Sequence, residues 1–154
     1  MYKILFISFS FLLIAGCANT GDSNVRSSMA ALPQQIVTAC MSATHARSIT
    51  LVEVPAAHNA LSNKMAALSI KMGDSNTVNA LLKILSQPAP PTIAVYGNSD
   101  ELAAATLEAA LNKLPAITKS KGQPICFIGD VRYEATLKPA AERAGLVLFM
   151  ASRS

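Results

Sequence analysis

Three short polar clusters each follow an apolar run in this chain: Gly97-Asn98-Ser99-Asp100, Gly129-Asp130-Val131-Arg132 and Ala151-Ser152-Arg153. If those runs are strands of a parallel sheet, the clusters sit at the strands' carboxyl ends, where such folds receive small ligands. There Asn98 and Ser99 would exchange hydrogen bonds with a ligand, Asp130 would act as a polar or acid-base group, and Arg132 would contact an anion. Strand-to-helix turns use the same residue types for themselves. In that reading Asn98 and Asp130 cap helices and Arg132 lies on a solvated face.

Stronger chemistries lack parts. Gly97-Asn98-Ser99 resembles the start of a nucleophile elbow, but Glu101 stands where that turn needs glycine, and His45 and His58 both precede Ser99 rather than follow it. Neither Gly97 nor Gly129 belongs to a dinucleotide fingerprint, no glycine-rich lysine loop exists, and Asp100 and Glu101 would repel a phosphate at a helix start. Cys40 and His45 are spaced to face different sides of a helix and no carboxylate lies nearby, so no metal site and no cofactor is expected; each histidine is expected at the surface or as a capped core residue. Cys40 and Cys126 have two readings. A disulfide between them would stabilise by roughly 4 kcal/mol in the chain-entropy model; unpaired, each would serve as a small buried hydrophobe.

The elements that must position these groups alternate. Pro33 opens a helix to about Ala46, with Ile36, Val37, Cys40 and Met41 recurring at helical spacing. Ile49 to Val54 is a β-branched run ended by Pro55. Two helices follow. Leu61, Met65, Leu68 and Met72 share one face of the first, which reads as core rather than as an adaptable methionine stripe, and Val78, Leu81, Leu82 and Leu85 share one face of the second, capped by Asp74 or Ser75. Thr92 to Tyr96 is a second strand. Asn98 with Glu101 forms an expected capping box for a helix that buries Ala103, Leu107, Ala110, Leu111 and Leu114. After a polar loop, Thr118 to Gln123, the continuous apolar run Pro124 to Gly129 predicts a strand covered on both faces. A helix from Asp130 or Val131 to Gly145, kinked or restarted at Pro139, leads to a final strand, Leu146 to Met150.

The order β-α-α-β-α-β-α-β, with every connection long enough for a helix, predicts mostly parallel strands. The expected fold class is α/β: a three-layer sandwich with a sheet of about four strands, helices on both faces, and one helix ahead of it. Strand order does not follow from the pattern.

The amino terminus carries an address. Lys3 precedes an apolar run, Ile4 to Ala15, too short for the roughly 20 residues a bilayer-spanning helix needs. Ile14-Ala15-Gly16-Cys17 resembles the lipobox of bacterial lipoproteins. That resemblance, confined to about residues 1–20, implies a diacylglycerol thioether on Cys17, removal of the leader and acylation of the new amino terminus. Ala18, where such proteins retained at the inner membrane carry Asp, implies an outer-membrane anchor with the domain facing the periplasm; in a single-membraned host the anchor would lie on the outer face of the cell membrane. The expected organisation is a signal peptide (1–16), a lipidated polar tether (17–31) and one domain (32–154).

Loss of Met1 to Gly16 leaves 138 of 154 residues, suited to one core. The formal charge of +4 falls to +3 with Lys3 gone, and the basic residues are scattered, which argues against a nucleic-acid partner. The leading expectation is a membrane-anchored envelope lipoprotein whose domain is a non-enzymatic module docking onto a protein or cell-wall partner. The alternative is a small-ligand binder or minor enzyme working at the strand ends.

Overall fold

The computed structural model describes residues 32, 34–72, 75–115 and 122–153. The leader, Cys17, the polar stretch after it, Asp74 and most of the Thr118–Gln123 loop lie outside the described residues. The elements are α1 (Gln34–Thr44), β1 (Thr50–Val54), α2 (Ala60–Met72), α3 (Asn76–Leu85), β2 (Ile93–Gly97), α4 (Asp100–Lys113), β3 (Gln123–Ile128), a 3-10 turn (Val131–Tyr133), α5 (Glu134–Arg143) and β4 (Leu146–Ala151).

The fold is α/β, with four parallel strands in the order β1-β2-β3-β4. Side chains alternate across the sheet in register. Ala94, Cys126 and Phe149 stand side by side on one face, and Val95, Phe127 and Met150 on the other. As the alternation-free sequence of β3 predicts, Ile125 to Ile128 are all buried.

Strand order explains how the layers divide. Each crossover steps one strand further in the same direction, so crossovers of one hand must all pass over one face. The main core accordingly gathers Val78, Leu81 and Leu85 of α3, Leu107 and Leu111 of α4, and Leu137 and Ala141 of α5 against Ile93, Val95, Ile125 and Phe127. The opposite face is covered by α1, whose Ile36 and Cys40 pack with Ala94, Tyr96, Cys126 and Ile128. The sandwich has three layers, but the expectation that crossover helices occupy both faces is corrected: the helix preceding the sheet forms the third layer.

The largest departure from the sequence pattern is α2. Leu61, Met65 and Leu68, expected in the core, are 69%, 64% and 62% exposed. Instead α2 turns its smaller side, Ala66, Ala67 and Ile70, inward and packs on α4. The reason lies in α4. Ala103 and Leu107 face inward as predicted, and Ala104 and Ala105 are buried too, so α4 is a helix enclosed on nearly every side. Small residues facing small residues let two helices approach closely, and the longer side chains are left outside.

Helix ends show similar local logic. α1 stops at Thr44, short of Ala46, because His45 adopts φ 53° and Ala46 N–H donates to Met41 O at 3.1 Å, while His45 N–H donates to Ser42 O. That is a Schellman closure with histidine in the left-handed position more often held by glycine. α5 does not restart at Pro139, which sits inside it. The buried hydroxyls of Thr44 and Thr106 donate to Cys40 O at 2.7 Å and Leu102 O at 2.8 Å, so neither is left unsatisfied.

Candidate functional site

At the carboxyl end of the sheet, β2 finishes on Gly97, whose place admits no side chain: a Cβ there would come within 2.6 Å of the Val54 carbonyl oxygen. The chain then turns into α4 with Ser99 as N-cap, its Oγ accepting from Leu102 N–H at 3.3 Å. Asn98, expected to be the cap, is exposed one residue earlier, and the expected pairing with Glu101 is not made because the third helical position is Leu102. The shift follows from β2 extending through Gly97, which moves every cap position along by one.

Asp130 caps the 3-10 turn, its Oδ1 accepting from Arg132 N–H at 2.9 Å. Arg132 pairs with the same carboxylate, Nε to Oδ2 at 3.1 Å, and its guanidinium lies 5.0 Å from the centroid of the Tyr133 ring. With the Arg132 side chain 68% exposed, that pair sits at the surface.

Two residues that sequence reasoning did not single out as site residues form the centre of this end. Asp100 Oδ1 meets Arg153 Nη2 at 3.0 Å, and Asp100 Oδ2 accepts from Asp130 N–H at 2.9 Å. Arg153 also donates to Gly97 O and, at 3.4 Å, to Ile128 O. One guanidinium therefore satisfies carbonyls at the ends of two neighbouring strands and the carboxylate opening α4. Gly129 makes room for this: a Cβ there would lie 2.6 Å from the Phe127 ring and 3.1 Å from the Asp100 carboxyl carbon. The signal for Arg153 was its place just past the last strand; what it would bond depended on strand order.

Topology bears on the same region. A ligand crevice in an open α/β sheet arises where strand order reverses and neighbouring connections diverge to opposite faces. Here the order does not reverse. Of the sequence-predicted set, the structure brings Asp130 and Arg132 together, places Ser99 in a cap and leaves Asn98 apart from both interactions.

On the other side of the crossover layer, a groove of about 160 Å³ runs between α2, α4 and α5, floored by Ala104 and Ala105 and walled by Leu68 and Tyr133. Lys71 and Glu108 span it as an ion pair at 3.3 Å.

Cys40 of α1 is bonded to Cys126 of β3, the Cα atoms 5.9 Å apart. Both residues are fully buried. His45 and His58 are exposed, and among the described residues no group of three His, Cys, Asp or Glu is placed to hold a metal ion. Among the described residues, no helix is long and apolar enough to cross a membrane. In comparisons with known proteins, the chain matches no family model, no curated protein and no solved structure.

Proposed function

We propose that this chain is an envelope lipoprotein, fastened through Cys17 to the outer membrane with its α/β domain facing the periplasm, and that the domain is a non-enzymatic docking or assembly module. The observation that carries the second half is the use made of the strand ends: Asp100 and Arg153 bind each other and the chain's own backbone, and Ser99 and Asp130 cap the elements that follow. Polar groups engaged in this way are satisfied without a ligand. The first half rests on Ile14-Ala15-Gly16-Cys17, and the Cys40–Cys126 bond suits it, since disulfides persist in oxidising compartments outside the cytosol.

Two measurements test the reading. Mass spectrometry of the mature protein should give a chain beginning at Cys17 with acyl groups attached and one internal disulfide; a soluble product without acyl groups would refute the anchor. Ser99→Ala and Asp130→Ala should leave cross-linking to the native envelope partner intact. Loss of binding with the fold preserved would instead establish a ligand site at the strand ends.

A further inference from the structure

The exposed residues of α2 are not scattered. Leu61, Met65 and Leu68 follow one another at intervals of four and three, which aligns them in a single stripe along a thirteen-residue helix. Lys64 and Lys71 occur in the same helix, which contains no acidic residue. Glu108 of α4 engages Lys71, and Glu101 lines the adjoining groove, so among the described residues the unpaired positive charge beside the stripe is that of Lys64. An apolar stripe bordered by lysines matches an interface where hydrocarbon lies beneath anionic headgroups, because lysine stems lie along the apolar surface while the ammonium groups reach the phosphates.

We propose that this face of α2 is a second membrane contact: it lies in the headgroup region of the anionic bilayer to which Cys17 fastens the chain, and so fixes the orientation of the domain. The inference rests on the anchored reading above. The residues from Cys17 to Ala31 would span about 50 Å when extended, whereas a domain of this length has a radius of gyration of about 14 Å. The chain outside the described residues therefore permits the α2 side to reach the bilayer. Once one end is fastened, the second contact is intramolecular, and weak apolar and electrostatic attractions suffice at the resulting effective concentration. A second copy fits this face less well. Pairing two α2 helices would bring the two Lys64 ammonium groups to one face, and a helix about 20 Å long offers far less than the roughly 800 Å² per partner of a stable interface.

The test uses the full chain produced with its leader, so that acylation proceeds, and reconstituted into phosphatidylethanolamine–phosphatidylglycerol vesicles. A fluorophore is attached to a thiol introduced by Met65→Cys or, on the opposite sheet face, by Val147→Cys. Lipids carrying nitroxide high on the acyl chain should quench the label at position 65 several-fold more than the label at 147. Adding Leu61→Glu and Leu68→Glu should abolish that difference without changing the circular dichroism spectrum, since both side chains are exposed. Equal quenching at both positions, or none at either, would overturn the proposal. Shielding of position 65 from aqueous iodide without lipid quenching, together with a cross-link between two copies of the chain, would assign the face to self-association and overturn it as well. An unacylated product would remove the anchored reading and this contact together, whereas an acylated protein with a water-exposed label at 65 would remove this contact alone.

Discussion

On one face of the sheet, α3, α4 and α5 interlock over Ile93, Val95, Ile125 and Phe127, each delivered there by the connection between successive strands. On the other face lies α1, an eleven-residue helix that reaches the sheet from outside the crossover pattern and is bonded to it through Cys40 and Cys126. The first face is secured by topology, because a chain that pairs its strands in sequence must stack its crossovers there. The second has no such guarantee. Its cover is brought by a separate segment, and the covalent bond holds that segment where apolar contact is limited to Ile36, Cys40 and their neighbours. A small sheet with unreversed order thus buries one side through its connections and needs a different device for the other.

The sharpest way to break this contrast is to remove the bond. The cysteines are separated by 86 residues, and closing a loop of that length stabilises by about 4 to 5 kcal/mol in the chain-entropy model. Cys40→Ala with Cys126→Ala, or reduction of the native protein, should lower stability by about 4 kcal/mol, read from denaturant midpoints with and without reductant. Hydrogen exchange should show α1 losing protection before α4 does. Simultaneous loss across both helices would mean that the two faces melt as one unit and differ in architecture only.

Leu81→Ala makes the matching cut on the crossover side. Leu81 is fully buried in α3, and truncating such a leucine costs about 3 kcal/mol. Because the sheet lies between this site and the disulfide, the two losses should add to within about 0.5 kcal/mol in a double-mutant cycle. A larger coupling would show that strain passes through the strands from one face to the other.

Between the faces, the strand ends test how much the internal ion pair holds. Arg153 and Asp100 keep 31% and 26% of their side chains exposed, so solvent screens part of their attraction. The backbone carbonyls of Gly97 and Ile128 depend on the same guanidinium. Arg153→Ala should cost about 1 to 2 kcal/mol, and added salt should narrow the difference from wild type without erasing it. An unchanged melting curve would reduce Arg153 to surface decoration and reopen the strand ends as a ligand site.

Much of this arrangement was legible in the residues. β-branched and apolar runs located four strands to within a residue or two, and the length of each connection required helical crossovers and parallel pairing. Strand order was not, because the connections β2 to β3 and β3 to β4 each carry one main helix and either placement of a strand would satisfy them. The unequal faces followed from that order and were hidden with it. At the candidate site, Ser99, Asp130 and Arg132 were correctly placed past strand ends, while the partnership of Asp100 with Arg153 joins residues 53 positions apart and depends on β3 lying between β2 and β4. Periodicity likewise groups α2 residues by face without saying which face is covered. Leu61, Met65 and Leu68 form one apolar side and Ala66, Ala67 and Ile70 another; the alanines of α4 decide in favour of the smaller.

That decision leads to the smallest effect. Leu61 and Leu81 are the same residue type on consecutive helices of the same crossover, yet one is 69% exposed and the other is fully buried. Truncating an exposed side chain leaves no cavity and removes little surface from the folded state that the unfolded chain did not also show to water. Leu61→Ser should therefore change stability by less than about 0.5 kcal/mol, against about 3 for Leu81→Ala, measured by urea titration without lipid. Helix propensity alone, leucine being the better former, accounts for the sign, a slight loss. A loss near that of Leu81 would mean that the stripe is covered within the folded chain. The crossover face would then have an outer layer beyond α2, and the membrane contact assigned to that stripe would have no surface to use.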